Sequence, residues 1–199
     1  MTPATGMFVR LARHAQPLVG PGICYGATDM AAEPGATCAS AEMLAGLLPP
    51  GARVLSSPRL RCAQLAQALC GLRPDLVHAV DERLVEMDFG SWEGWRWDAI
   101  PKEAIDQWTA HFAAHRFGGR ESVQELMDRV AGVWRATAAS AQPTVWITHA
   151  GVIRAAMLLS RGITAVTHSD QWPSEAPGFG QSVCVELGPA PRQSALAPL

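Results

Sequence analysis

Met7-Phe8-Val9-Arg10-Leu11-Ala12-Arg13-His14 is the stretch that decides the fold. Its apolar run over 7–12 reads as a strand, and it delivers an arginine and a histidine where the strand stops. Thr144-Val145-Trp146-Ile147-Thr148 reads the same way and delivers His149, with Ala150-Gly151-Val152-Ile153-Arg154 following. Between them, Val54-Leu55-Ser56-Ser57-Pro58 ends a third strand and places Arg61 one turn into the next helix. In an open α/β sheet the C-terminal ends of the strands share one edge, where ligands bind. His14, His149, Arg13 and Arg61 therefore meet there, and that combination suits a phosphate ester.

The remaining segments agree with such a sheet. Strands are predicted over 7–12, 53–57, 77–80, 144–148 and 182–187, and helices over 37–48, 58–71, 101–115, 121–140 and 150–160. Their alternation predicts an α/β fold: a three-layer sandwich with a mostly parallel sheet flanked by helices, one domain over 1–199. The helix at 58 carries a start signal, with Ser57 as N-cap and Pro58 at the first helical position. Leu60, Ala63, Leu65, Ala66 and Leu69 make its predicted buried face. Trp92, Trp95, Trp97 and Trp108 fall in the stretch 86–120, an excursion expected to cap the sheet edge. Trp134 and Trp146 are expected in the core. Residues 1–6 and 189–199, rich in Pro, Ala, Ser and Thr without periodicity, are expected to fray.

Composition narrows the function classes. A chain of 199 residues with 48% hydrophobic content suits one well-cored domain. A net charge of −2 gives no electrostatic case for nucleic acid or an anionic membrane. No leader pattern and no apolar stretch of membrane-spanning length is visible, so cytoplasmic is the default expectation. The five cysteines include no C-x-x-C pair and are expected to be free, mostly buried thiols. No metal site is expected: His111 and His115 stand four apart but lack the glutamate of H-E-x-x-H.

Phosphoryl transfer needs positioning and charge stabilisation more than covalent ingenuity. Arg13 and Arg61 can clamp phosphate oxygens through their planar forks, aided by the N-terminal amides of the 58–71 helix. A neutral imidazole nitrogen can attack phosphorus, which assigns His14 as nucleophile. His149, if protonated, would stabilise the equatorial oxygens. Glu86, in Glu86-Met87-Asp88-Phe89-Gly90, is the candidate general acid, and near-apolar surroundings there would favour its protonated form; Asp88 competes for the role.

At this point the residues resemble a family. Leu11-Ala12-Arg13-His14-Ala15-Gln16 is similar to the R-H-G signature of the histidine phosphatases, the phosphoglycerate mutase-like superfamily. Ser56-Ser57-Pro58-Arg59-Leu60-Arg61 resembles its S-S-P-L-x-R segment, and Glu86 to Gly94 its E-x-x-F-G-x-W-E-G segment. Gly118-Gly119-Arg120-Glu121-Ser122 resembles G-G-E-S, and Thr148 to Arg154 resembles T-H-x-G-V-x-R. The resemblance implies a phosphohistidine mechanism without metal or cofactor, with Arg13, His14, Arg61, Glu86 and His149 in the roles above. Gly22-Ile23-Cys24-Tyr25-Gly26-Ala27-Thr28-Asp29 is most similar to the α-ribazole phosphatase branch, which implies α-ribazole 5′-phosphate as substrate. Tyr25 and Gln16 are candidate substrate contacts, and Tyr25, Trp92 and Trp95 could offer a π-face. The expected partner is a small phosphorylated metabolite. A mutase-type phosphoryl transferase and an inactive binding module with the same fold stay open as alternatives.

Overall fold

The computed structural model describes residues 7–140 and 142–187; the expected frayed ends, 1–6 and 189–199, lie outside them. Five strands, β1 (Phe8–Arg13), β2 (Arg53–Ser56), β3 (Val77–Val80), β4 (Thr144–Thr148) and β5 (Ser182–Glu186), form one sheet in the order β3-β2-β4-β1-β5. All neighbours run parallel except β5, which pairs antiparallel to β1. β4 is buried along its whole length, as the central strand of a covered parallel sheet must be.

Alternation along the strands explains the three layers. Val54, Val145 and Ile147 pack on one face with Leu65 and Leu69 of α2 (Leu60–Leu72) and Leu44 of α1 (Pro34–Leu47). Leu11, Leu55 and Trp146 face the other way, against Leu126, Val130 and Trp134 of α4 (Val123–Ser140) and Ile153 of α5 (Ala150–Ser160). Trp134 and Trp146 are fully buried and meet edge to face at 6.1 Å, and the Trp146 indole donates to Thr137 Oγ1. Both tryptophans are core residues, as expected.

Three expectations need correction. The second helix starts at Leu60, with Arg59 and not Ser57 at its N-cap. Its phase therefore buries Arg61, Cys62, Leu65, Ala66 and Leu69, while Leu60 is 44% exposed. The helix predicted over 101–115 stops at Ala110, as α3 (Lys102–Ala110), and continues as turns. Of the free thiols only Cys24 and Cys62 are buried; Cys38 and Cys184 are exposed.

Between Glu86 and Arg120 the chain leaves the sheet through short 3-10 turns and α3. Phe117, fully buried, is the hub of this region: Trp108 stacks on it at 4.4 Å, and Phe89, Trp92 and Trp97 surround it. Gly90 and Gly118 let two loops touch there, since a Cβ on Gly118 would stand 1.8 Å from Phe89 O. Both adopt positive φ, so no other residue fits without strain.

Candidate active site

The parallel strands end at one edge, and backbone bonds lock those ends together. The His14 amide donates to Thr148 O at 3.0 Å and the Ser57 amide to Ile147 O at 3.0 Å. Thr148 Oγ1 donates to Leu84 O at 2.7 Å, which draws the segment leading to Glu86 against β4. The edge thus collects His14, His149, Arg61 and Glu86 from sites far apart in the chain.

His14 is 2% exposed, and its Nδ1 lies 2.8 Å from Ala15 O. A carbonyl only accepts, so Nδ1 carries the proton and Nε2 keeps its lone pair. Among the described residues Nε2 has no hydrogen-bond partner. Burial, aided by the charges of Arg61 and Arg13, lowers the His14 pKa to about 3. At neutral pH the ring is therefore uncharged.

His149 sits with its ring centroid 5.2 Å from that of His14. Its Nε2 is 2.9 Å from Ser57 Oγ and 3.6 Å from Cys62 Sγ, while its Nδ1 is buried without a partner among the described residues. Burial first, then the charge of Arg61, holds its pKa well below the ordinary histidine value. The protonated form of His149 is thus disfavoured. A bound phosphate dianion would oppose that depression.

Arg61 is fully buried and donates to Gly26 O at 2.8 Å and Thr28 O at 2.9 Å. Those bonds use a minority of its five donors. Among the described residues its Nε is buried and unpaired. Arg13 is held by Pro177 O at 3.2 Å and lies 3.9 Å above the Phe179 ring, and its Nε is unpaired too. Tyr25 lies beside Arg61, with its ring centre 5.4 Å from Arg61 Cζ. Three of the helix amides expected to assist are engaged otherwise. Leu60 N donates to Asp29 Oδ1 at 2.8 Å, and Cys62 N and Ala63 N donate to Arg59 O. Gln16 is exposed, and its side-chain amide lies 3.5 Å from Pro17 O.

Glu86 is half-buried, and its surroundings are less apolar than expected. Oε1 accepts from the Met87 amide and Oε2 from the Gly151 amide in the first turn of α5, each at 3.0 Å. The positive end of a helix suits a carboxylate. Asp88 is engaged elsewhere: Oδ1 caps the Gly90 amide at 2.9 Å and Oδ2 lies 3.7 Å from Arg120 Nε.

Two carboxylates outside the expected set hold this frame. Glu93 accepts from the amides of Gly26, Ala27, Thr28 and Phe89 and from the Thr28 hydroxyl. It thereby fixes the loop that Arg61 also grips. Glu121 pairs with Arg129 at 2.6 Å and accepts the Asp88 amide, while Arg129 donates to Val85 O. That pair holds both flanks of Glu86. The W-E-G and G-G-x-E-S motifs carried the signal, but their partners lie too far along the chain to be read from sequence.

Glu86 lines two cavities. One, of about 460 Å³, is walled by Trp97, Trp108, Phe112 and Trp172 beside Arg154. The other, about 570 Å³ and more open, includes Ala27, Arg59 and Arg120. The aromatic surface beside Glu86 is thus not the one expected: Trp92 packs on Phe117 and, edge to face, on Trp95.

Comparison with known proteins agrees with this geometry. The family described as histidine phosphatase superfamily (branch 1) matches residues 10–171. A mycobacterial glucosyl-3-phosphoglycerate phosphatase complexed with VO3 is 22% identical, covering 89% of this chain and 90% of its own, with a TM-score of 0.75. A structure of that enzyme with inorganic phosphate is 25% identical, covering 77% and 78%, with a TM-score of 0.65. The protein TTHB049 from Thermus thermophilus is 27% identical, covering 90% and 93%, with a TM-score of 0.64. No curated protein matches the chain.

Proposed function

The chain belongs to branch 1 of the histidine phosphatase superfamily, and on that premise we propose that it hydrolyses a small phosphomonoester through a phosphorylated His14, without metal. The observation that carries this reading is the His14 tautomer: Nδ1 is committed to Ala15 O, which leaves Nε2 as an unprotonated nucleophile. In the first step Nε2 attacks phosphorus, the N–P bond forms, and the P–O bond to the leaving group breaks. Glu86 gives that oxygen its proton. In the second step the Glu86 carboxylate takes a proton from water, whose oxygen displaces His14 and releases phosphate. Arg13, Arg61 and His149 stabilise the charge on the equatorial oxygens throughout, the part that metal ions play in other phosphoryl transferases.

The phosphatases among the structural relatives favour hydrolysis over mutase chemistry. For the substrate itself we propose α-ribazole 5′-phosphate. The Gly22–Asp29 segment supports it, and so does the aromatic cavity beside Glu86, which has room for a flat base. No described helix is long and apolar enough to cross a membrane, in keeping with a soluble metabolite as substrate. The test is kcat/KM on α-ribazole 5′-phosphate, 3-phosphoglycerate and a generic sugar phosphate in one EDTA-containing buffer. The ribazole ester should lead. If the glycerate phosphate wins or the three are indistinguishable, the substrate assignment fails while the phosphatase reading stands; loss of all turnover in EDTA, restored by a divalent cation, would refute the mechanism.

A further inference from the structure

Both polar neighbours of the His149 ring converge on the same nitrogen. Ser57 Oγ stands 2.9 Å from Nε2 and Cys62 Sγ 3.6 Å from it, whereas Nδ1 is buried with no partner among the described residues. Which group owns the proton between Ser57 and Nε2 decides what His149 can do. Ser57 is fully buried, and its oxygen already accepts from the Arg59 amide at 3.3 Å. Its own proton must go to an acceptor, since a buried hydroxyl without one is costly. Cys62 Sγ, also a side-chain neighbour of Ser57, is only a weak acceptor and offers little competition. Its thiol is kept protonated by burial and donates toward Thr148 O at 3.7 Å. The lone pair of Nε2 is the acceptor left.

We infer that Ser57 is a positioning residue for His149: its hydroxyl donates to Nε2 and thereby fixes the neutral tautomer with the proton on Nδ1. The second histidine is then a hydrogen-bond donor without being protonated. Its Nδ1–H, which has no partner among the described residues, can then donate to an acceptor such as a phosphoryl oxygen. The two histidines are matched through different devices. Ala15 O puts the His14 proton on Nδ1 and frees Nε2 to attack, while Ser57 puts the His149 proton on Nδ1 and frees that N–H to bind. Because Ser57, Arg61 and Cys62 belong to one short segment at the start of α2, a single piece of backbone sets both an arginine donor and the histidine tautomer. What Nδ1–H binds rests on the phosphatase reading above; the tautomer does not.

Long-range proton–nitrogen spectra of ¹⁵N-histidine-labelled full-length protein, with and without orthovanadate, test this directly. The free protein should show His149 protonated at Nδ1 and bare at Nε2, and vanadate should shift Nδ1. In Ser57→Ala the tautomers should mix or invert. Its kcat on p-nitrophenyl phosphate should fall about tenfold, the effect of one lost net hydrogen bond, with KM little changed. Ser57→Thr, which keeps the hydroxyl, should restore both readouts. A wild-type spectrum with the proton on Nε2 overturns the inference, and so does a Ser57→Ala protein whose His149 tautomer is unchanged. If Ser57→Ala does not fold, the wild-type and Ser57→Thr spectra still decide. An enzyme without turnover but with the expected spectrum would count against the phosphatase reading and not against the tautomer.

Discussion

Glu86 Oε2 accepts the Gly151 amide at 3.0 Å, and a Cβ at position 151 would stand 2.3 Å from Glu86 Oε1. The carboxylate and the first turn of α5 fit together only because residue 151 has no side chain. Gly151 thus decides where the Glu86 carboxylate can rest.

Gly151→Ala should therefore displace Glu86 while sparing the phosphate clamp. A general acid contributes typically about 10²–10⁴-fold, and the variant should lose roughly a hundredfold in kcat on an alkyl phosphate. Inhibition by vanadate should change little. On p-nitrophenyl phosphate, whose leaving group needs little protonation, the loss should be much smaller, and Glu86→Gln should show the same contrast. Equal losses on both esters would move the acid elsewhere, with Asp88 next.

Glu93 is the carboxylate on which the loop of residues 26–28 hangs. Burial opposes its ionisation, but the Thr28 hydroxyl and the amides of residues 26–28 outweigh burial and lower its pKa from 4.5. A carboxylate depressed in the folded state stabilises it above the unfolded pKa, and that contribution disappears as pH falls through the folded value. Glu93→Gln should lower Tm at pH 7 by on the order of 5 °C, from about 1.5–3 kcal/mol for a charged acceptor. The gap between variant and wild type should narrow below pH 4. A gap that is constant with pH would mean that Glu93 acts through packing alone.

His14 gives a second titration with a defined sign. In the folded protein its pKa is lowered from 6.5 to about 3, so between those values the unfolded chain binds the proton and the folded one does not. Stability must then rise with pH across that window and level off above it. In His14→Asn this contribution is absent. Denaturant unfolding of both proteins at pH 7 and pH 4.5 should show the wild type losing more stability on acidification than the variant. Parallel losses would mean that His14 is not held neutral by burial.

How much of this was legible in sequence depended on whether the cause was local. β3, β4 and α5 fall where their patterns place them, because an apolar run or a helical stripe is a near-neighbour signal. His14 and His149 could be placed because each follows such a run directly. Ser57 misled for a physical reason: a serine before a proline has the chemistry of an N-cap, but here its hydroxyl is spent largely on His149, and the helix waits for Arg59. Glu93 and Glu121 were unreadable in their roles, since each holds amides dozens of residues away. The aromatic wall beside Glu86 escaped for a related reason. Trp92 and Trp97 both pack on Phe117, and only the folded arrangement shows that Trp97, with Trp108, also lines the cavity.

The central claim is that His14 carries the phosphoryl group. Brief mixing of the wild-type enzyme with ³²P-labelled substrate, followed by denaturing quench, should trap a phosphoprotein that is acid-labile and base-stable, with the label on the peptide containing His14. His14→Ala should trap none, although its Arg13 and Arg61 clamp remains. Label retained in His14→Ala, or a phosphoprotein that survives acid, would contradict the account.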